Sequence, residues 1–293
     1  MPILGAHKSI TGGFDKAVRR AHQSGCDCVQ VFTLNTVQWR AKPIAPEEVV
    51  RFRRALEECR IVCPIGHGSY LVNLASPERG LWTRSVKAFA VELRRAETLG
   101  LGYLVTHPGC YIDGHQEDGL RRIVRALDAI QEDTAGIRAQ CLLETTAGQG
   151  TSLGWRFEQL AAILDGVKHP ERLGICFDTC HVFAAGYPLG TAGEYDSTME
   201  ALDRAVGLGR VRAFHLNDSA RDFGSRVDRH AHIGRGKMGL EPFRRLLADP
   251  RFQQTPMYLE TPKGEEGGED LDAVNLRVLR SLEAGTQSSP VTP

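Results

Sequence analysis

The chain lacks several features that would place it in familiar classes. It has no apolar run of the ~18 residues that a bilayer-spanning helix needs, so a membrane protein is not expected. Its start, Met1-Pro-Ile-Leu-Gly-Ala-His7, has no basic region followed by an apolar stretch, so no signal peptide is expected either. It has no surplus of one charge. Lys+Arg and Asp+Glu both number 36 in 293 residues, which disfavours gripping nucleic acid by bulk positive charge alone. A phosphate ligand would have to be held by local groups or by metal ions. The eight cysteines are scattered from Cys26 to Cys180 without a repeated C-x-x-C, which excludes a zinc-finger framework and disfavours a disulfide scaffold. Buried, reduced thiols in a cytoplasmic protein are expected instead. Gly12-Gly13 follows the first apolar run, but no G-x-G-x-x-G is present, which argues against an open doubly wound dinucleotide-binding sheet.

What is present is an alternation. Hydrophobic residues make up 42% and charged residues 25%, enough for one large core. Short apolar or β-branched runs occur at Ile3–His7, Val29–Leu34, Ile61–His67, Tyr103–His107, Cys141–Thr145, Ile175–Asp178, Val211–Leu216 and Met257–Glu260. Between them lie stretches of helical periodicity, such as Phe14/Ala17/Val18/Ala21, Val49/Phe52/Leu56/Cys59, Val86/Phe89/Ala90/Leu93 and Leu120/Ile123/Val124/Leu127. Leu160/Ile163/Leu164, Leu240/Phe243/Leu246/Leu247 and Leu271/Val274/Val278 continue the series, and Asp196–Val206 is a weaker case. Eight β-then-α units predict an α/β fold: a single TIM barrel, (β/α)8, with parallel strands, over residues 1–284. Residues 285–293 are expected to form a disordered tail.

The ends of the strands carry the chemistry. His67, His107, Glu144, Asp178, His215 and Glu260 end strands three to eight, His181 follows one turn after Asp178, and Asp228 and His230 lie in the loop after strand seven. In a barrel all of these point to one rim, where active sites assemble. Imidazoles and carboxylates are ligands of zinc-type or manganese-type ions. Four carboxylates held together without a lysine among them would repel unless cations neutralise them. With one bridging carboxylate, this set suits three ions and in-line displacement at phosphorus better than sugar isomerisation, which needs one or two ions.

These residues fall within longer motifs: Gly5-Ala-His7-x-Ser9, His67-Gly-Ser-Tyr70-Leu71-Val-Asn73, His107-Pro-Gly109, Glu144-Thr-Thr-Ala-Gly148, Asp178-Thr-Cys-His181-Val-Phe-Ala-Ala-Gly186, His215-Leu-Asn217, Gly224-Ser-Arg-Val-Asp228-Arg-His230 and Leu259-Glu260-Thr-Pro262. Through them the chain, from Ile3 to about Leu279, resembles the endonuclease IV family of metal-dependent apurinic/apyrimidinic (AP) endonucleases. The resemblance implies three Zn2+ ions, with Mn2+ in part as an alternative. His67, His107 and bridging Glu144 would hold the first; Glu144, Asp178, His215 and Glu260 the second; His181, Asp228 and His230 the third. His232, next to this set, would support a ligand from behind or be structural. The implied activity is base excision repair of double-stranded DNA. The phosphodiester 5′ to an abasic site is hydrolysed by a metal-activated hydroxide, leaving a 3′-hydroxyl and a 5′-deoxyribose phosphate, with Glu260 and Glu144 at the catalytic centre. A monomer is expected.

Such an enzyme must extrude the damaged nucleotide, a task for side chains wedged into the duplex. Tyr70, Leu71 and Trp39 are candidates. Lys8, Arg40, Lys42, Arg226, Arg229, Arg235 and Lys237 are candidate phosphate contacts. The chain departs from the family pattern at Val37, where an arginine is usual, and at Gly68, Thr145 and Arg235. A metal-dependent sugar isomerase or epimerase on the same barrel is the alternative enzyme class, and a non-catalytic nucleic-acid-binding barrel is a further one.

Overall fold

The structure, a computed structural model, describes residues 2–40 and 42–287, the side chains of 284–287 excepted. Eight strands close into a barrel: β1 (Leu4–His7), β2 (Cys28–Phe32), β3 (Val62–His67), β4 (Tyr103–Thr106), β5 (Gln140–Glu144), β6 (Leu173–Asp178), β7 (Val211–Leu216) and β8 (Met257–Leu259). All neighbours run parallel, and β8 pairs with β1 to shut the ring. The expected eight-unit barrel is what the chain forms.

The helices outside are α1 (Phe14–Gln23), α2 (Pro46–Cys59), α3 (Arg79–Leu99), α4 (Gln116–Asp133), α5 (Phe157–Gly166), α6 (Thr179–Ala185), α7 (Ala192–Val206), α8 (Glu241–Ala248) and α9 (Leu271–Gln287). Apart from α6, each lays an apolar stripe on the barrel. On α1 the stripe is Phe14, Ala17, Val18 and Ala21, all buried, with Asp15 in the first turn, where the helix dipole favours negative charge. On α3, the Glu78 carboxylate caps the start by accepting the N–H groups of Gly80 and Leu81, and Gly100 ends the helix in the left-handed conformation. The expected tail boundary falls inside α9. Residues 288–293 of that tail lie outside the described residues.

The barrel interior is packed rather than open. Cys28, Ile65, Val105, Leu142, Cys176, Ala213 and Tyr258, one from each of β2 to β8, form a buried plug. On β1 the corresponding place needs Gly5, because a Cβ there would sit 1.9 Å from the Cys28 carbonyl oxygen. With the interior filled, ligands are left the rim. There, a short antiparallel ribbon pairs Asp218–Ser219 with His230–Ala231 and folds the long loop after β7 back over the strand ends. No helix among the described residues is long and apolar enough to cross a membrane.

Candidate metal centre at the barrel rim

His67 and Glu144 end β3 and β5, Asp178 ends β6, and His215 lies one residue before the end of β7. His107 and Glu260 immediately follow β4 and β8. Asp178 does two jobs: as N-cap of α6 its Oδ1 accepts the His181 N–H at 2.8 Å, which sets His181 one turn into the rim. Among the described residues, three sets of donor atoms lie within 4.8 Å of one another: His67/His107/Glu144, Glu144/Asp178/His215/Glu260, and Asp178/His181/His230. Asp228 stands beside the third set, its two oxygens 3.2 Å from His181 Nε2 and 3.3 Å from His230 Nε2. All the expected rim residues are therefore brought together.

Glu144 is the hub. Its Oε2 lies 3.2 Å from His67 Nε2 and 3.1 Å from His107 Nε2. Its Oε1 lies 2.9 Å from His215 Nδ1 and 3.3 Å from His181 Nδ1. The imidazoles are oriented from behind, as ligand histidines are. His67 Nδ1 is 2.8 Å from the Gly68 carbonyl, His181 Nδ1 is 2.9 Å from that of Thr145, and His230 Nδ1 is 3.1 Å from that of Glu260. Asn217 ties two carboxylate residues. Its Nδ2 donates to Asp178 Oδ2 at 2.7 Å and its Oδ1 accepts the Glu260 N–H at 2.9 Å.

The electrostatics match a cation site. Burial would raise the pKa of Glu144, but His215, His107 and His181 outweigh it and hold the carboxyl well below its usual range. Burial likewise opposes ionisation of Glu260, and His215, His7 and His67 outweigh it. His181 responds in the opposite sense. Burial lowers it, yet Asp178, Asp228 and Glu144 lift it well above the usual value. The rim thus draws protons onto His67, His181 and His215 to balance its carboxylates. Divalent ions would take that role with less conflict, because neutral imidazoles and ionised carboxylates are the forms that bind them. Carboxylate and imidazole donors, no thiolate, and lone pairs turned inward fit divalent ions of the zinc or manganese kind.

Comparison with known proteins agrees. Residues 18–282 match the family model described as a xylose isomerase-like TIM barrel. A "probable endonuclease 4" from Chloroflexus aurantiacus is 50% identical over 287 residues, 98% of this chain and 100% of that protein. The chain belongs to the endonuclease IV family. A probable endonuclease 4 from Geobacter sulfurreducens is 48% identical over 95% of this chain and 94% of its own. The crystal structure of endonuclease IV from Thermus thermophilus superposes with a TM-score of 0.84 at 40% identity, covering 97% of this chain and all of that one. A D-tagatose 3-epimerase-like protein superposes at 0.73 but is only 18% identical, so it shares the barrel alone.

The expected DNA-contacting side chains of this endonuclease IV chain divide. Tyr70 is 67% exposed and stands at the rim, its ring 5.9 Å from that of His67 and 5.5 Å from that of Phe32. Leu71 beside it is half-buried. Arg226 and Arg229 are exposed; Arg226 stacks on Trp155 at 4.1 Å and donates to the Gly148 carbonyl, while Arg229 donates to that of Asp228. Arg40 is exposed, and Trp39 is half-buried under the Arg84 guanidinium, in a cleft on the flank of α3 rather than in the rim cleft. Lys8 is a correction. It is buried, and its ammonium is held 2.6 Å from Asp272, 2.8 Å from Asp270 and 2.6 Å from Ser24 Oγ, so it braces the start of α9 instead of reaching DNA. Arg235 and Lys237 are exposed but paired, with Glu266 and Asp222. His232 stays out of the rim sets, and its Nδ1 lies 3.0 Å from Asn275 Nδ2.

Two rim residues escaped the sequence reading. His7 ends β1 as the others end their strands, with Nδ1 3.3 Å from Glu260 Oε1, and Gln30 of β2 touches both Glu260 and His215. Position at a strand end could have found His7. Gln30 sits inside its strand, where side chains of the core are expected.

Proposed function

We propose that this endonuclease IV chain hydrolyses the phosphodiester 5′ to abasic sites in duplex DNA, leaving a 3′-hydroxyl and a 5′-deoxyribose phosphate. The observation that carries the reading is the trio of donor sets joined through Glu144 and Asp178. His67, His107 and Glu144 would hold one ion; Glu144, Asp178, His215 and Glu260 a second; and His181, His230 and Asp228 a third, zinc being the first choice and manganese possible in part. Bound divalent ions supply Lewis acidity, neutralising phosphate charge and easing deprotonation of water.

The chain's own residues do the rest. A cleft of about 710 Å³ opens beside Glu260, lined also by His7, Phe32, Tyr70, His230 and Lys263, a size suited to an extruded nucleotide. Glu260 borders both this cleft and the donor set around His215, where its carboxylate orients the attacking water or accepts its proton. Tyr70 and Leu71 enter the space that the missing base leaves, which costs least where stacking is already broken. Arg226, Arg229 and Arg40, with Trp39 further out, engage the flanking backbone. With cations held in the site, a chain of zero formal charge would be able to bind a polyanion. A monomer suffices for this chemistry, and thiols that are all free fit the reducing cytoplasm.

The test is incision of an abasic duplex by protein loaded with zinc, stripped by chelator and reloaded. Activity should vanish and return with the metal. Undiminished cleavage by stripped protein with no residual metal contradicts the proposal.

A further inference from the structure

We infer that Gln30 is a positioning residue: its one carboxamide decides which ring nitrogen of His215 and which oxygen of Glu260 face the metal site. The inference rests on the metal reading above.

Gln30 lies on β2 with no solvent exposure. It reaches across the barrel mouth to β7, with β1 and β8 between. Its Oε1 lies 2.8 Å from His215 Nε2, and its Nε2 lies 2.5 Å from Glu260 Oε1 and 2.9 Å from His7 Nδ1. The polarity of these bonds is forced. An ionised carboxylate can only accept, so the NH2 end of the amide must face Glu260. The oxygen end then faces His215, which must carry its proton on Nε2. That leaves the lone pair on His215 Nδ1, the atom 2.9 Å from Glu144 Oε1 and 3.3 Å from Glu260 Oε2. Glu260 Oε1 is engaged by the amide, and Oε2 is the oxygen turned toward His215.

His67, His181 and His230 get the same service from main-chain carbonyls, which no substitution removes. Among these four buried or half-buried imidazoles, only His215 depends on a side chain. Gln30 is therefore a position at which one substitution can loosen the second donor set while leaving the other two intact.

Two volume-conserving variants test this. Gln30→Met keeps the shape and removes all three hydrogen bonds; Gln30→Glu keeps the shape but cannot donate to Glu260. Zinc content is measured after dialysis against graded chelator, alongside melting temperature. In both variants one ion should be lost at roughly 10–100-fold lower chelator strength than in wild type, the others being retained. Retention within twofold of wild type in folded variants, even with a lowered melting temperature, overturns the role of Gln30. Wild-type protein that retains no zinc overturns the metal reading instead. If neither variant folds, nitrogen-15 spectra of zinc-loaded wild-type protein decide: a His215 ring carrying its proton on Nε2 is expected, and a ring carrying its proton on Nδ1 overturns the inference.

Discussion

Oε1 of Glu144 and Nδ1 of His215 face each other at 2.9 Å, and neither side chain has any exposure to solvent. A carboxylate so placed is stable only while cationic or metal partners surround it. Glu144→Gln should therefore lower the zinc content by at least one ion per chain and slow incision roughly 10²-fold or more. Elemental analysis with single-turnover incision checks both. Full zinc occupancy in this variant contradicts the hub role of Glu144.

The metal-free protein should show its own pH dependence. Burial lowers the pKa of His215, but Cys176, Glu260 and Glu144 raise it well above the usual value; His181 is raised by Asp178, Asp228 and Glu144. A histidine whose pKa is raised on folding contributes stability that is complete below its unfolded pKa of about 6.5 and is lost as pH rises through the folded value. The stripped protein should thus lose stability as pH climbs above neutrality. Zinc needs neutral imidazoles, so its binding strengthens over the same range. Calorimetric melting with and without chelator should show a gap that widens with pH, and a gap that narrows contradicts this account.

Glu92 gives a second pH signature, away from the donor sets. It is buried on α3, accepts the Ser69 N–H on both oxygens at 3.1 and 3.2 Å, and takes a bond from Thr33. Burial pushes its pKa up to about 7, against the pull of Ser69. The folded protein then keeps a proton that the unfolded chain releases, so this group favours the fold less as pH rises from about 4.5 to about 7, and the effect is complete above that. The change is at most about 3 kcal/mol. Glu92→Gln should flatten the stability profile between pH 5 and 8 by up to that amount in denaturant titrations, at about those limits. Parallel profiles for the two proteins contradict it.

Lys8 and Tyr70 should separate stability from binding. Lys8→Ala leaves buried Asp272 with Lys263 as its remaining partner and Oδ2 without a donor at the start of α9, and should cost about 1–3 kcal/mol of stability. Its effect on affinity for abasic DNA should be small. Tyr70→Ala should leave stability and zinc content unchanged but weaken that affinity by about 1–3 kcal/mol. Denaturant melts and fluorescence anisotropy check the pair, and the reverse pattern contradicts the assignment of either residue.

The sequence disclosed the barrel and its rim for a simple reason. β-Branched runs and helical stripes report burial directly, and a polar residue at the end of such a run must point to the rim. Partners far apart in sequence were not legible. Lys8 reads as a free cation because Asp270 and Asp272 lie at the other end of the chain. Helix α6, Thr-Cys-His-Val-Phe-Ala-Ala, is buried on nearly all sides and has no polar face to reveal its period. The weaker helical segment proved to be α7, which starts earlier, at Ala192, where Thr191 and Glu194 cap each other. Gln30 was hidden because an amide inside a strand reads as a packed polar residue until its partners are seen.

The most direct test is the chemistry of the cut on a duplex carrying one abasic site. The zinc-loaded protein should sever the strand on the 5′ side, giving an upstream fragment that a polymerase extends from its 3′-hydroxyl and a downstream fragment bearing the 5′-deoxyribose phosphate. An upstream fragment ending in an unsaturated aldehyde, or an intact strand, would contradict metal-assisted hydrolysis at this rim.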